Sequence, residues 1–460
     1  MSMESSAVLS FESAGSLMHT LEQLRSGALA GITRLKLSCG LTTFPNQIFD
    51  LADSLEILDL SGNALSSLPD DLSRLRKLRV LFCSDNQFTM LPPMLGQCTL
   101  LSMIGFKANQ IRTVPASALP TALRWLILTD NQIEELPAGI GHCVQLQKLM
   151  LAGNRLSTLP ASLAQCVRLE LLRLAANRYT ALPDWLLALP RLSWLACAGN
   201  PLSAARERAA LDQSGMAAIR WDDLQLDEQL GEGASGVIHR AVYRHDAAAA
   251  PVAVKVFKGA LTSDGLPRSE MAACIAAGLH PNLIPVCGTL SGHPAGADGL
   301  VMPLIAPVFR NLAGPPSLSS CTRDNYDEAL AFDAAELPAL ALGVAAAVAH
   351  LHRRGILHGD LYGHNLLHDG DGRALLGDFG AASLFDPAGT HAEALQRIEV
   401  RAFGVLLEEL VARCPAPLPP SLASLVSACL ADDHRSRPLF SEIERVLSSL
   451  ADCAVDMASP

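Results

Sequence analysis

Leu146-Gln-Lys-Leu-Met-Leu-Ala-Gly-Asn-Arg-Leu156 decides the fold of the first half of the chain. The same spacing of leucines around an asparagine recurs on both sides of it. The asparagines are Asn63, Asn86, Asn109, Asn131, Asn154, Asn177 and Asn200, each 22 or 23 residues after the last. A period that regular marks stacked units, none of which buries its leucines alone. Each unit is expected to supply a short strand and a turn, with its asparagine bonded to backbone of a neighbouring turn. The first unit, around Leu35 and Leu37, lacks the asparagine and reads as a cap. Cys98, Cys143 and Cys166 fall in the slot held elsewhere by Leu75 and Leu189, which makes them core fillers.

The pattern resembles leucine-rich repeats over residues 32–202, behind an N-terminal segment or cap of residues 1–31. About seven to eight units are implied, forming an α/β solenoid. Strand positions aimed at the concave face read Ile57, Val80, Met103, Trp125, Lys148, Leu171 and Trp194, and the next outward slot adds Phe82, Ile127 and Met150. So long an apolar stripe implies a binding surface for a protein partner or for the chain's own second domain.

After Leu202 the period stops, and residues 203–223 form a linker that starts helical and polar. Leu230-Gly-Glu-Gly-Ala-Ser-Gly236 follows a strand-like run and precedes another, Val237 to Tyr243. That order favours a glycine hairpin covering phosphates over a loop that opens a helix. Val252-Ala-Val-Lys255-Val-Phe is an apolar strand with one lysine, and Glu270, the only acid between Asp264 and Asp298, is its natural counter-ion. In His358-Gly-Asp-Leu-Tyr-Gly-His-Asn365, the Asp360 carboxylate stands five residues before a carboxamide; Asp378-Phe-Gly380 adds a second carboxylate. Phosphoryl transfer needs this set: one group to orient or deprotonate the attacking hydroxyl, and two oxygen donors for Mg2+.

Taken in order, these parts resemble a protein kinase domain over residues 224–450, followed by a tail at 451–460. Gly-Leu-Val-Met302 resembles the strand into the hinge, Glu399-Val-Arg-Ala-Phe-Gly the helix behind the catalytic loop, and Arg435-Ser-Arg437-Pro the closing Arg-Pro element. The whole chain resembles bacterial-type leucine-rich repeat protein kinases: a solenoid followed by an α+β bilobal domain. The resemblance implies that Gly231, Gly233 and Gly236 approach the ATP phosphates. Val237 and Leu367 would pack on the adenine, with Met302 at the gatekeeper slot. Lys255 would hold phosphates and pair with Glu270, Asp360 would act as base, and Asn365 and Asp378 would hold Mg2+. The implied activity is ATP- and Mg2+-dependent phosphorylation of serine or threonine, with the repeats as a partner-binding or regulatory module and room for an intramolecular repeat–kinase contact.

Three departures leave alternatives open. Gly359 replaces the arginine before the catalytic aspartate, which removes the dock for an activation-loop phosphate and implies activity independent of such phosphorylation. Tyr362 replaces a lysine near the transferring phosphate. Glu399 follows Asp378 by only 21 residues, with no Ala-Pro-Glu between them to pair with Arg437. His-Gly-Asp-Leu also resembles the catalytic loop of small-molecule phosphotransferases such as aminoglycoside and choline kinases. A pseudokinase scaffold and a small-molecule kinase are therefore the competing readings. The Gly-Pro-Pro loop of residues 309–324 is expected near the cleft mouth, where Arg323 or Asp324 either contacts substrate or caps the structure.

Composition narrows the partners. A net charge of −11 and a pI of about 5.6 argue against nucleic acid or an anionic membrane. Twelve cysteines without a Cys-x-x-Cys pair suit reduced, buried thiols rather than zinc ligands or a disulfide frame. Glu4, Glu12 and Glu22 interrupt the first thirty residues, which do not read as a signal peptide. The apolar run Leu337 to Ala349 is too short to span a bilayer and is read as a buried helix. The expectation is a cytoplasmic protein.

Overall fold

The computed structural model describes residues 18–212, 215–233, 235–245, 248–259 and 261–458, leaving out the side chains of 452–458. Two compact units result, one of Leu9–Arg191 and one that contains Leu192–Pro460. The division falls inside the last repeat rather than after it.

The first unit opens with the short helix α1 (Leu21–Arg25), capped reciprocally by Thr20 and Gln23. Seven three-residue strands follow: β1 (Arg34–Lys36), β2 (Ile57–Asp59), β3 (Val80–Phe82), β4 (Met103–Gly105), β5 (Trp125–Ile127), β6 (Lys148–Met150) and β7 (Leu171–Arg173). They pair in parallel, each with the next in sequence. Tight turns return the chain between them, and the short helix α2 (Asp184–Leu187) ends the unit. The middle residue of each strand (Leu35, Leu58, Leu81, Ile104, Leu126, Leu149, Leu172) is fully buried, so the leucine column is the core.

Beside that column runs an asparagine ladder. Asn131 Nδ2 donates to Phe106 O (2.9 Å) and Leu128 O (3.1 Å), while its Oδ1 accepts from the Ile111 N–H (2.9 Å). Asn154 and Asn177 repeat this one and two rungs on. Each side chain thus satisfies backbone groups that the turn leaves unpaired and out of water. The turn has its own requirement: the residue before every ladder asparagine has positive φ. Gly62, Gly153 and Gly199 meet it at no steric cost, whereas Asp85, Ala108, Asp130 and Ala176 hold φ of 51° to 58°. Cys98, Cys143 and Cys166 are buried, and burial pushes their thiols up to about 11, 11 and 12.

The side chains of the apolar stripe, expected to bind a protein partner or the chain's own second domain, are largely covered. Phe82, Met103, Trp125, Ile127, Met150 and Leu171 are buried, and so is Trp194; Ile57 is half-buried. Neighbouring rungs supply part of that cover. Trp125 Nε1–H points at Met150 Sδ (3.5 Å), the Lys148 ammonium lies 4.4 Å above the Trp125 ring, and the Phe82 ring fills the space over Gly105.

The second unit starts with strand β8 (Trp194–Ala196) and helix α3 (Pro201–Asp212). A six-stranded sheet comes next, built from β9 (Ala217–Arg220), β10 (Leu224–Glu232), β11 (Gly236–His245), β12 (Ala248–Phe257), β13 (Gly288–Ser291) and β14 (Gly299–Pro303) in the spatial order β10-β11-β12-β14-β13-β9. The linker therefore contributes a strand that sequence reading left out. β9 adds in parallel to β13, and its Ile219 joins Leu224, Ala241, Val252, Val254, Leu290 and Val301 in one core. Gly288 permits the approach, since a Cβ there would sit 2.6 Å from Ala217 O. Helix α4 (Pro267–Ala277) accompanies this sheet in sequence, between β12 and β13. The remaining lobe is helical: α5 (Glu336–Arg353), α6 (Ala392–Val411), α7 (Pro420–Cys429) and α8 (Phe440–Ala458). The run Leu337 to Ala349 lies within α5, and among the described residues no helix is long and apolar enough to cross a membrane.

Candidate active site

The site draws on both lobes. Lys255 sits near the C-terminal end of β12 and Glu270 in the first turn of α4. Both side chains are buried and form an ion pair. Burial works against the ammonium, but Glu270 and then Asp378 outweigh it and hold the Lys255 pKa above its ordinary value. Lys255 is therefore a fixed cation, aimed by the strand.

The catalytic loop runs from strand Ile356–Leu357 to strand Leu366–His368. Asn365 Nδ2 donates to the Asp360 backbone oxygen (2.8 Å) and to its carboxylate Oδ2 (2.9 Å). The two predicted residues are thus tied directly, and the amide's own Oδ1 stays available as an acceptor. Asp378 follows on a turn with φ of 52°, its Oδ1 accepting the Gly380 N–H at 3.1 Å. The Gly377 N–H donates to Asn365 O (3.1 Å), and His358 Nε2 contacts Gly377 O (2.8 Å), so the two turns are laced together.

Glu399, on α6, anchors the loop from below. Its carboxylate accepts the backbone N–H groups of His358 (3.2 Å) and Gly359 (2.7 Å) and meets His352 Nε2 at 2.8 Å. Burial alone would raise its pKa; His352, His358 and the Gly359 N–H outweigh that and lower it. Asp324 closes the other side, accepting from the His364 N–H (3.0 Å) and pairing with His364 Nδ1 (2.7 Å). Burial opposes the imidazolium, yet Asp324, with Asp360 and Asp378 behind it, raises the His364 pKa. Asp324 is accordingly a brace for the catalytic loop, which resolves one of its two expected roles. Arg437, whose partner the sequence left open, donates to the backbone carbonyls of Ala431 (2.8 Å) and Arg397 (3.0 Å).

The nucleotide-side residues lie on the sheet and beneath it. Gly231, Gly233, Gly236 and Val237 form the β10–β11 hairpin, whose turn is closed by Gly233 N–H to Gly236 O (2.9 Å). A Cβ on Gly236 would come within 2.5 Å of Val256 O, so β12 requires glycine there whatever the loop binds. Met302 is half-buried on β14, opposite Ala253, and Leu367 is buried on the strand after the catalytic loop. Glu399, Asp324, His364 and Trp194 carry site roles that motif spacing did not reveal.

A protein kinase domain model matches residues 224–401, and leucine-rich repeat models match residues 54–75 and 121–178. This chain carries leucine-rich repeats and a protein kinase domain. Leucine-rich repeat and calponin homology domain-containing protein 1 of Mus musculus is 30% identical over 128 residues, covering 28% of this chain and 18% of that protein. Probable serine/threonine-protein kinase At1g54610 of Arabidopsis thaliana is 30% identical over 108 residues, or 24% of this chain and 17% of the relative. Probable serine/threonine-protein kinase roco9 of Dictyostelium discoideum is 48% identical over 54 residues, or 12% and 2%. The chain thus spans well under a third of the length of each of these relatives.

Proposed function

We propose that the kinase domain transfers the γ-phosphoryl group of ATP to a serine or threonine hydroxyl of a protein, in a Mg2+-dependent reaction. The observation that carries this reading is the formed Lys255–Glu270 pair, with Asp360 and Asn365 joined at 2.9 Å in the facing lobe. A domain that had lost its chemistry has no need to keep a buried lysine charged. In the proposed reaction Lys255 binds phosphate oxygens, and Asp360 orients the acceptor hydroxyl and takes its proton. The glycine hairpin excludes water from the transferring group.

The donor set fits Mg2+. Asn365 Oδ1 and the Asp378 carboxylate are two hard oxygen donors, and an ion of this kind keeps waters and substrate phosphates as its other ligands. Among the described residues no cluster of three or more His, Cys, Asp and Glu side chains makes a self-sufficient metal cage. Once bound, the ion neutralises charge developing on the phosphates. The repeats are the partner-binding or regulatory module of this reading.

The test is label transfer from ATP with and without Mg2+, scoring a generic protein substrate and autophosphorylation. Wild type should transfer label, and Asp360→Asn and Lys255→Met should each lose it by about a thousandfold. ATP-dependent thermal stabilisation without transfer would leave a nucleotide-binding scaffold. Transfer to aminoglycosides or choline but to no protein would make it a small-molecule kinase.

A further inference from the structure

We propose that the last repeat rung and the helix after it hold the phosphoryl-transfer residues in position, with Trp194 as the positioning residue. Gly359 and Tyr362 are then the catalytic loop's fit to that rung, not signs of lost activity. The inference rests on reading the domain as a phosphotransferase, but its geometry does not.

The contacts converge on three elements. Trp194, at the start of β8, is 1% exposed, and its Nε1–H donates to Leu361 O at 3.0 Å, one residue beyond Asp360. Its ring stacks on Tyr362 with centroids 4.2 Å apart and planes 6° from parallel. A lysine at position 362 would offer no such platform. Gly359 has φ of 74°, and a Cβ there would lie 2.6 Å from both Leu195 O and Ala381 O. The rung's backbone thus occupies the space that any side chain at 359 would need, an arginine above all.

Cys197 on the rung and the helix α3 extend the grip. Cys197 N–H donates to Ser383 Oγ (2.8 Å), in the segment just past Asp378-Phe-Gly. On α3, Glu207 takes Ser269 Oγ–H on its Oε2 (2.8 Å), and its Oε1 accepts from Gly199 N–H (2.8 Å) and Ser203 Oγ (2.6 Å). Ser269 immediately precedes Glu270, the partner of Lys255. Arg206 adds an ion pair to Asp386 at 2.9 Å. Residues 194–207 therefore touch the catalytic loop, the segment after Asp378 and the helix of Glu270. These are the parts a kinase domain must align before transfer, often by loop phosphorylation. Here an element of the same chain supplies the alignment, which accounts for a short segment and a missing arginine together.

The experiment compares full-length Trp194→Ala, Trp194→Phe and Tyr362→Leu with wild type. It reads ATP-dependent transfer kinetics and hydrogen–deuterium exchange of peptides over 357–367. Trp194→Ala should lower kcat by about tenfold to a hundredfold, with KM for ATP within about twofold of wild type. Exchange should rise locally over 358–366. Trp194→Phe, which keeps the stack, should recover most of both, and Tyr362→Leu should reproduce the alanine phenotype in a folded protein. Unchanged kcat and unchanged loop exchange in Trp194→Ala and Tyr362→Leu would overturn the proposal, as would exchange that rises uniformly across the domain. Should wild type transfer no phosphate, the phosphotransferase reading fails, and the exchange pattern alone still decides whether the rung holds the loop.

Discussion

The repeat unit and the catalytic loop solve the same problem, pairing buried backbone groups, by opposite means. In the repeats one solution is used over and over: Asn131, Asn154 and Asn177 make equivalent bonds to equivalent carbonyls and amides. In the loop every solution is used once. Glu399 receives His358, Gly359 and His352 from sequence positions 40 to 47 residues away. Redundancy makes the first region tolerant and its pattern visible. Uniqueness makes the second fragile and its logic invisible without coordinates.

The largest effect is expected at Glu399. Glu399→Ala strands three buried donors and should destabilise the second unit by about 4 kcal/mol while abolishing transfer. Urea unfolding followed alongside activity checks this, and a loss below that of a ladder asparagine would erase the contrast. Asn131→Ala should cost about 2 to 3 kcal/mol, confined to the first unit, with transfer retained. Limited proteolysis with an activity assay would show whether the damage stays local.

Glu409 supplies a pH-dependent case in the kinase domain. Burial first, then the neighbouring Asp324, raises its carboxyl from 4.5 to about 7, with the Tyr326 hydroxyl donating to it at 2.9 Å. A raised folded pKa means the contribution is complete below the ordinary value and is lost as pH rises through 7. Glu409→Gln, neutral throughout, should therefore gain on wild type by about 2 kcal/mol between pH 5 and pH 8 in paired denaturation curves. Within the repeats, Ala108→Gly and Ala176→Gly relieve φ of 53° and 54° and should each stabilise by about 0.5 to 1 kcal/mol, read as a higher Tm. Thr390→Ala should change nothing in transfer rate. Thr390 is the exposed hydroxyl between Asp378 and Glu399, while Ser383 there is buried against Cys197, so mass spectrometry with activity should find no activating phosphate.

Sequence reading reached the solenoid through the asparagine interval, because one local rule written seven times is a periodic signal. It reached Lys255, Glu270, Asp360, Asn365 and Asp378 through motif order, and the coordinates tie Lys255 to Glu270 and Asp360 to Asn365. It failed where a role depends on what a side chain meets from far away. Strand alternation gave the direction of the stripe from Phe82 to Trp194 but not what covers it. Tyr362 looked like a defect because its stacking partner lies 168 residues earlier in the chain. Asp324 was ambiguous because a loop acid acquires its meaning only when His364 arrives beside it. Strand β9 went unread because Ala217–Arg220 has no alternating pattern of its own, and Ile219 is buried only through β13.

Strand β9 also bears on how the kinase domain can be isolated. A fragment begun at Leu224, where the kinase motif starts, would lack Ala217–Arg220 and expose the hydrogen-bonding edge of β13 beside an unfilled Ile219 site. A bare, apolar sheet edge invites pairing between molecules. A fragment begun at Leu192 keeps that edge covered. The practical unit of expression is thus set by the last strand of the sheet, and soluble yield from the two starting points is its simplest reporter.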